Sequence, residues 1–152
     1  MSIAIEENRI RSLLERVETV EDVARSLPAG DERRSRLLEV SSKALAEEGT
    51  IRPVIAARLL GLSEKTIRAW ASQGVIAVAQ RTPRLLLDLA SVHEISQILD
   101  QLREHGKDRD LLDEVWRRLN DAALIERADM QESIGQMRRG QGRVVRPIRE
   151  NG

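Results

Sequence analysis

Short and basic side chains recur along one side of a predicted helix in the middle of the chain. Lys65, Arg68, Ala69 and Ser72 follow one another at i, i+3, i+4 and i+7, a spacing that places them on a common helix face. Ammonium and guanidinium groups bind phosphates and donate hydrogen bonds to base edges, while small side chains allow close approach to a groove. The face therefore has the chemistry of a helix that contacts the major groove of a nucleic acid.

The remaining side of the same helix is predicted to pack inward. Ile67, Trp70 and Ala71 share an apolar face, and we expect Trp70 to be a core residue rather than a base-stacking group. Ser63 is a favourable N-cap for this helix, and Gly74 is suited to end it.

A shorter helix is predicted immediately upstream. Val54, Ala57 and Leu60 form one apolar face, and Pro53 stands in the first turn, where its missing N–H costs nothing. Gly61 and Leu62 then make a tight turn, so the two helices form a helix-turn-helix.

A small hairpin is predicted after the second helix. Val75–Ala79 and Leu85–Leu89 are short apolar strands, and Gln80–Arg84 connects them. Arg81 and Arg84 lie near the tip, where they could contact phosphates or simply be solvated.

The stretch AARLLGLSEKTIRAWASQGVI resembles the helix-turn-helix of MerR-like and excisionase-like winged-helix proteins. The resemblance implies that the second helix enters the major groove and that a β wing lies over the DNA backbone. The chain departs from MerR regulators because it has no long dimerisation helix ending in cysteine-rich effector chemistry. The candidate DNA-binding residues are Arg52, Arg58, Ser63, Lys65, Thr66, Arg68, Ala69, Ser72, Arg81 and Arg84.

Charge is distributed unevenly, although 25 basic and 25 acidic residues cancel over the 152-residue chain. The segments 1–49 and 88–134 have net charges of −3 and −6, whereas 50–87 and 135–152 have +5 and +4. Phosphate neutralisation depends on local charge, and the first positive segment contains the helix-turn-helix.

Composition excludes several classes of protein and site. The chain has no cysteine, hence no disulfide or thiolate metal site, and no Phe or Tyr for stacking on single strands. No apolar run reaches membrane-spanning length, and the N-terminus has no signal-peptide core, so we expect a cytoplasmic protein that does not bind membranes.

Catalytic and metal-binding patterns are also missing. His93 and His105 are predicted in the first and last turns of one helix, without HExxH spacing, and the acidic cluster within 108–114 is interpreted as a solvated helix face. The sequence thus predicts neither an enzyme nor a metal or cofactor site.

The flanks are predicted to be helical. Residues 1–49 comprise a helix from Ile3, a short helix opened by a capping box at Thr19–Asp22, and a helix from Asp31 to Gly49. They are interpreted as a packing or dimerisation module. Downstream, a capping box at Ser91–Glu94 opens a helix closed by Gly106, and further helices are expected from Asp108 or Asp110 and over 122–139.

The C-terminal region is similar to the toxin-neutralising tail of bacterial antitoxins, and QMRRGQG resembles a helix end found in several of them. This implies a small ribonuclease toxin of the PIN type as partner, bound by strand addition and by arginines in its acidic site. A basic terminus that merely adds nonspecific DNA affinity is the alternative. The candidate partner-binding residues are Arg138, Arg139, Arg143, Val144, Val145, Arg146 and Ile148.

The sequence therefore predicts a mainly α protein, a winged helix-turn-helix with a short β-hairpin wing flanked by helices. Its predicted regions are a helical segment 1–49, a DNA-binding domain 50–106, helices over 107–139 and a basic tail 140–152. The favoured function is a homodimeric, autorepressing antitoxin, since one recognition helix reads too few base pairs alone. The alternatives are a stand-alone repressor or excisionase-like protein, and a protein-binding adaptor without DNA affinity.

Overall fold

The computed structural model describes residues 2–107 and 109–123, which are mainly helical and contain one small antiparallel sheet. The chain divides into two units after Leu112, and the labelled elements all belong to the first. Residues 111–123 are also helical. The labelled elements are α1 (Ile3–Ser26), α2 (Glu32–Glu48), β1 (Thr50–Ile51), α3 (Pro53–Leu60), α4 (Glu64–Ser72), β2 (Val78–Gln80), β3 (Leu86–Asp88) and α5 (Leu89–Glu104).

The N-terminal region contains one long helix where two were predicted. Helix α1 runs through Thr19 without a break, and the Thr19 hydroxyl donates to the Glu15 carbonyl at 2.9 Å instead of capping a new helix. The prediction was wrong because buried positions continue at helical spacing, from Val17 through Glu21 to Ala24, and packing of this face overrides the local capping signal.

Helix α2 has the predicted ends. The Asp31 side chain accepts from the Arg33 amide at 2.9 Å, and Gly49, with φ +80°, accommodates the turn that ends the helix. Helices α1 and α2 pack against each other within the first unit, and Leu45 is buried there.

The sheet has the order β1-β3-β2, with β3 in the centre. Ile51 of β1 and Val78 of β2 both lie opposite Leu87, whose side chain is fully buried. Two further backbone bonds extend the pairing, from the Leu89 amide to the Gly49 carbonyl and from the Asp88 amide to the Ala77 carbonyl, at 3.0 and 2.9 Å. The strand preceding α3 is thereby joined to the hairpin that follows α4.

Helix α5 begins before the predicted capping box. Asp88 is the N-cap and accepts from the Ser91 amide at 3.3 Å, while the Ser91 hydroxyl accepts from the Ala77 amide at 2.9 Å. The prediction placed the start at Ser91 and was wrong because β3 ends in an aspartate that caps the helix directly. Leu89, expected in the strand, is the first helical residue. The predicted stop is close to the observed one, since α5 ends at Glu104 and Gly106 has φ +75°.

A buried polar cluster links α1 to α5. Glu21 is only 8% exposed, and its Oε1 lies 2.9 Å from Nε2 of His93, which is 3% exposed. Gln97 donates to the same oxygen at 3.0 Å. Because both partners come from a helix more than 70 residues away in sequence, the cluster holds the N-terminal helix against the rest of the unit.

Replacing Glu21 should therefore destabilise the fold. Glu21→Ala leaves Nε2 of His93 and the side-chain amide of Gln97 without their acceptor. We therefore expect the free energy of unfolding to fall by about 1–3 kcal/mol. Urea denaturation measures the change, with Glu15→Ala on the exposed side of α1 as the control. Equal stability of the two variants would contradict a structural role for the cluster.

Candidate nucleic-acid interface

Helix α3 and the turn after it have the predicted local structure. Pro53 is in the first turn, and Ala57 and Leu60 are buried as predicted, whereas Val54 is only half-buried and Ile55 is buried in its place. Gly61 adopts a left-handed conformation with φ +67°, which a residue with a Cβ would adopt only with strain. Three residues, 61–63, thus separate the end of α3 from the start of α4.

Helix α4 begins at the predicted cap. The Ser63 hydroxyl accepts from the Thr66 amide at 3.1 Å and lies 2.9 Å from the Thr66 hydroxyl. These two candidate DNA-binding residues therefore also have a structural role at the helix start. The apolar face is buried as predicted, with Ile67, Trp70 and Ala71 between 0% and 5% exposed, so Trp70 is a core residue.

The outward face of α4 is accessible along its length. Lys65, Arg68, Ala69 and Ser72 are all exposed, as the spacing predicted. The Ser72 hydroxyl donates to the Ala69 carbonyl at 2.9 Å, so it remains close to the helix surface. A partner could approach the backbone closely at Ala69 and Ser72, because both side chains are short.

The hairpin after α4 is shorter than predicted. Its strands are β2 and β3, and a register irregularity lies between Val78 and Gln80. The Gln80 side-chain amide donates to the Arg84 carbonyl at 3.0 Å, which closes the tip. Arg81 and Arg84 are exposed on this tip. Both guanidinium groups are thereby accessible to an anionic partner.

Two candidate cations, Arg52 at the N-cap of α3 and Arg58 in its last turn, are held by α1. Arg52 lies 3.0 Å from Glu6, and Arg58 lies 3.0 Å from Glu7. Arg11 binds Glu7 as well, at 2.9 Å, and its guanidinium donates to the Arg58 carbonyl at 3.4 Å. The positive charge of the 50–87 segment is thus partly neutralised by the helix that packs beside it.

These contacts also change the pKa of Glu7. Hydrogen bonds from Arg11 and Arg58 hold the pKa of Glu7 below its usual value. Glu7 therefore remains a carboxylate under ordinary conditions, and the contact with Arg58 is lost only as the pH falls through this lowered pKa.

Three charged residues near the helix-turn-helix were missed in the sequence. Arg103, in the last turn of α5, has its guanidinium beside Gly61, 3.5 Å from where a Cβ would stand. Glu6 and Glu7 are the other two. A net negative charge over 1–49 was visible, but no local pattern indicates which carboxylates reach α3, because the contacts span about 50 residues of sequence.

A concave surface of different character lies elsewhere in the first unit. A cavity of about 430 Å³ is lined by Glu18, Asp22, Arg25, Gln97, Asp100 and Gln101. Burial is the largest cause that raises the pKa of Glu18, and the nearby carboxylates of Asp100, Glu21 and Asp22 act in the same direction. Among the described residues, no group of three or more His, Cys, Asp or Glu side chains is arranged to hold a metal ion.

The predicted tail lies outside the described residues. The same holds for residues 124–139 of the helix expected over 122–139 and for every candidate partner-binding residue, from Arg138 to Ile148. Within the ranges that the structure describes, no helix is long and apolar enough to cross a membrane.

Comparison with known proteins does not place the chain in a family. No protein-family model matches it, and neither curated proteins nor solved structures give a match. Functional inference therefore rests on the residues and their geometry.

Removing the Glu7 carboxylate should strengthen nucleic-acid binding at this face. Glu7→Gln releases Arg58 and Arg11 and removes one negative charge, so we expect severalfold higher affinity for a random-sequence duplex. The slope of log affinity against log salt should become steeper by about one unit, as expected for one added phosphate contact. Fluorescence anisotropy over a salt series measures both quantities.

Glu15→Gln provides the matched control, because it makes the same charge change at an exposed position of α1. If both variants gain affinity equally, the effect comes from net charge and the Arg58 contact is irrelevant to binding.

Proposed function

We propose that the protein is a double-stranded DNA-binding regulator of the winged helix-turn-helix type, with α4 as the recognition helix and the β2–β3 hairpin as the wing. One observation supports this most directly. The accessible face of α4, with Lys65 and Arg68, is followed directly along the chain by the arginine-bearing hairpin, and the sheet pairs this hairpin with the strand that leads into α3. A helix for the groove and a basic loop for the backbone are the two parts that such recognition requires.

The ion pairing of the individual cations supports the same interpretation. Lys65, Arg81 and Arg84 take part in none of the ion pairs within the described residues, whereas Arg52 and Arg58 each have a carboxylate partner. Cations without an internal partner can bind phosphate without first breaking an ion pair. We therefore assign phosphate contacts first to Lys65, Arg81 and Arg84.

A homodimer is part of this proposal. A nine-residue recognition helix contacts only a few base pairs, so useful specificity requires two copies on two half-sites. The protein-binding adaptor remains the alternative, and duplex binding distinguishes the two.

Neutralising the proposed phosphate contacts should weaken binding in a salt-dependent manner. Lys65→Gln with Arg84→Gln should lower the magnitude of the log-log salt slope by about two, since each phosphate contact contributes about 0.9. Duplex binding by the full chain is measured between 50 and 200 mM salt, a range in which such contacts have a large effect on affinity.

Lys43→Gln with Arg36→Gln is the matched control, because it removes one lysine and one arginine from exposed positions of α2. Similar salt slopes for the two double variants would contradict the assignment of the phosphate contacts to α4 and the hairpin. Absence of any salt-dependent duplex binding by the wild-type protein would refute the proposed function and favour the adaptor.

The antitoxin role is a second part of the proposal and is supported by the sequence of the C-terminal region alone. Five arginines against one glutamate in 135–152 suit an acidic nuclease site. Truncation after Gly140 should leave duplex binding largely intact and abolish co-purification of a small ribonuclease from the native host. Partner binding that survives truncation would exclude the tail as the inhibitory element.

A further inference from the structure

The single carboxylate of the 50–87 segment lies on the helix assigned to DNA. Glu64 is the first residue of α4, and its side chain is 44% exposed. Phosphates repel a carboxylate, so a glutamate on this helix weakens DNA binding unless its side chain has a specific function there. The residue that Glu64 contacts, Arg68, indicates this function.

Glu64 binds one edge of the Arg68 guanidinium. Nε and a terminal nitrogen of Arg68 each lie 3.0 Å from the same oxygen, Oε2 of Glu64. Guanidinium has five N–H groups; of these the Nε–H donates to Glu64, while the terminal nitrogen lies at ion-pair distance from the same oxygen. The outer edge, formed by the two terminal nitrogens, still has N–H groups to donate. Guanine O6 and N7 accept two parallel hydrogen bonds from such an edge.

We infer that Glu64 and Arg68 act as one base-reading unit, in which Arg68 donates to a guanine in the major groove and Glu64 is the positioning residue that holds its guanidinium. The inference rests on the proposed DNA binding and specifies its sequence preference. One G·C pair in each half-site would be read by this unit.

The neighbouring residues of α4 are compatible with this arrangement. Ala69 and Ser72 are small and share the exposed face with Arg68, so the helix can approach a groove closely enough for an arginine to reach a base edge. An exposed i,i+4 pair has little effect in water, but exclusion of water by the groove strengthens the same contact. Glu64 would therefore hold the Arg68 guanidinium in place mainly when the protein is bound to DNA.

A purely structural role for Glu64 is the competing explanation. A carboxylate in the first turn interacts favourably with the helix dipole, and the i,i+4 pair with Arg68 adds to helix stability. Glu32 provides a close comparison, because it is likewise exposed and is the first residue of α2. Glu32→Gln makes the same chemical change at the same helix position on a different helix.

The experiment begins with selection of duplexes from a random pool by the full-length wild-type protein. Affinities are then measured for the selected duplex and for a random-sequence duplex. They are also measured for copies of the selected duplex in which each guanine in turn is changed to adenine or to 7-deazaguanine, which lacks the N7 acceptor. The proteins are wild type, Arg68→Lys, Glu64→Gln and Glu32→Gln.

We expect one guanine at which wild type loses about tenfold or more in affinity on change to adenine, and severalfold on change to 7-deazaguanine. Arg68→Lys should become insensitive to 7-deazaguanine at that position. Glu64→Gln should reduce the guanine preference severalfold while its affinity for random duplex stays equal or rises, because a negative charge is lost. Glu32→Gln should retain the wild-type preference.

An unchanged guanine preference in Glu64→Gln would overturn the positioning role and leave Glu64 as a helix-start residue. Equal sensitivity of wild type and Arg68→Lys to 7-deazaguanine would overturn base reading by Arg68. Both outcomes leave the proposed function intact, whereas wild-type protein that binds no duplex refutes the function itself.

Discussion

The pairing of β3 with both β1 and β2 is the contact on which the arrangement of the candidate interface depends. Leu87 lies between Ile51 and Val78 at the centre of the sheet, fully buried, with strands of two different chain segments on either side. The first segment leads into α3 and the second follows α4, so the sheet closes the chain around the helix-turn-helix. Without this pairing the hairpin would be connected to α4 only through residues 73–77. Because β3 also ends in Asp88, the N-cap of α5, the same strand sets where the last helix of the unit begins.

Helix α1 acts on this assembly from its two ends. Near its C-terminal end, the buried Glu21 lies within hydrogen-bond distance of His93 and Gln97 of α5, and these contacts specify how the two helices pack. At its N-terminal end, Glu6 and Glu7 hold cations of α3 at the surface. One helix therefore both stabilises the fold and lowers the positive potential beside the proposed interface. The N-terminal region is part of the same unit as the helix-turn-helix, because these contacts join it to α3 and α5.

The cations of the central segment fall into two groups with different physical roles. Arg52, Arg58 and Arg68 each have a carboxylate partner within about 3 Å, which favours one direction of the guanidinium. Lys65 and the hairpin arginines have no ion pair within the described residues and can adapt to an external anion. Oriented groups suit recognition of a particular partner atom, and adaptable groups suit nonspecific neutralisation. A net charge of zero over the whole chain conceals both groups, since electrostatic recognition depends on where charges lie.

Local signals in the sequence were sufficient for the elements that form within a few residues. Pro53, Gly61, Ser63 and the apolar spacing of α4 predicted two helices and their turn, because capping and helical periodicity are short-range effects. Only the tertiary structure decided that α1 continues through Thr19, since burial of one face outweighed a local capping pattern. It also decided which arginines are neutralised, because carboxylates about 50 residues away reach them through packing. Sequence alone thus determined which groups are available for recognition, and long-range packing determined their partners, since these are set by distance in space rather than along the chain.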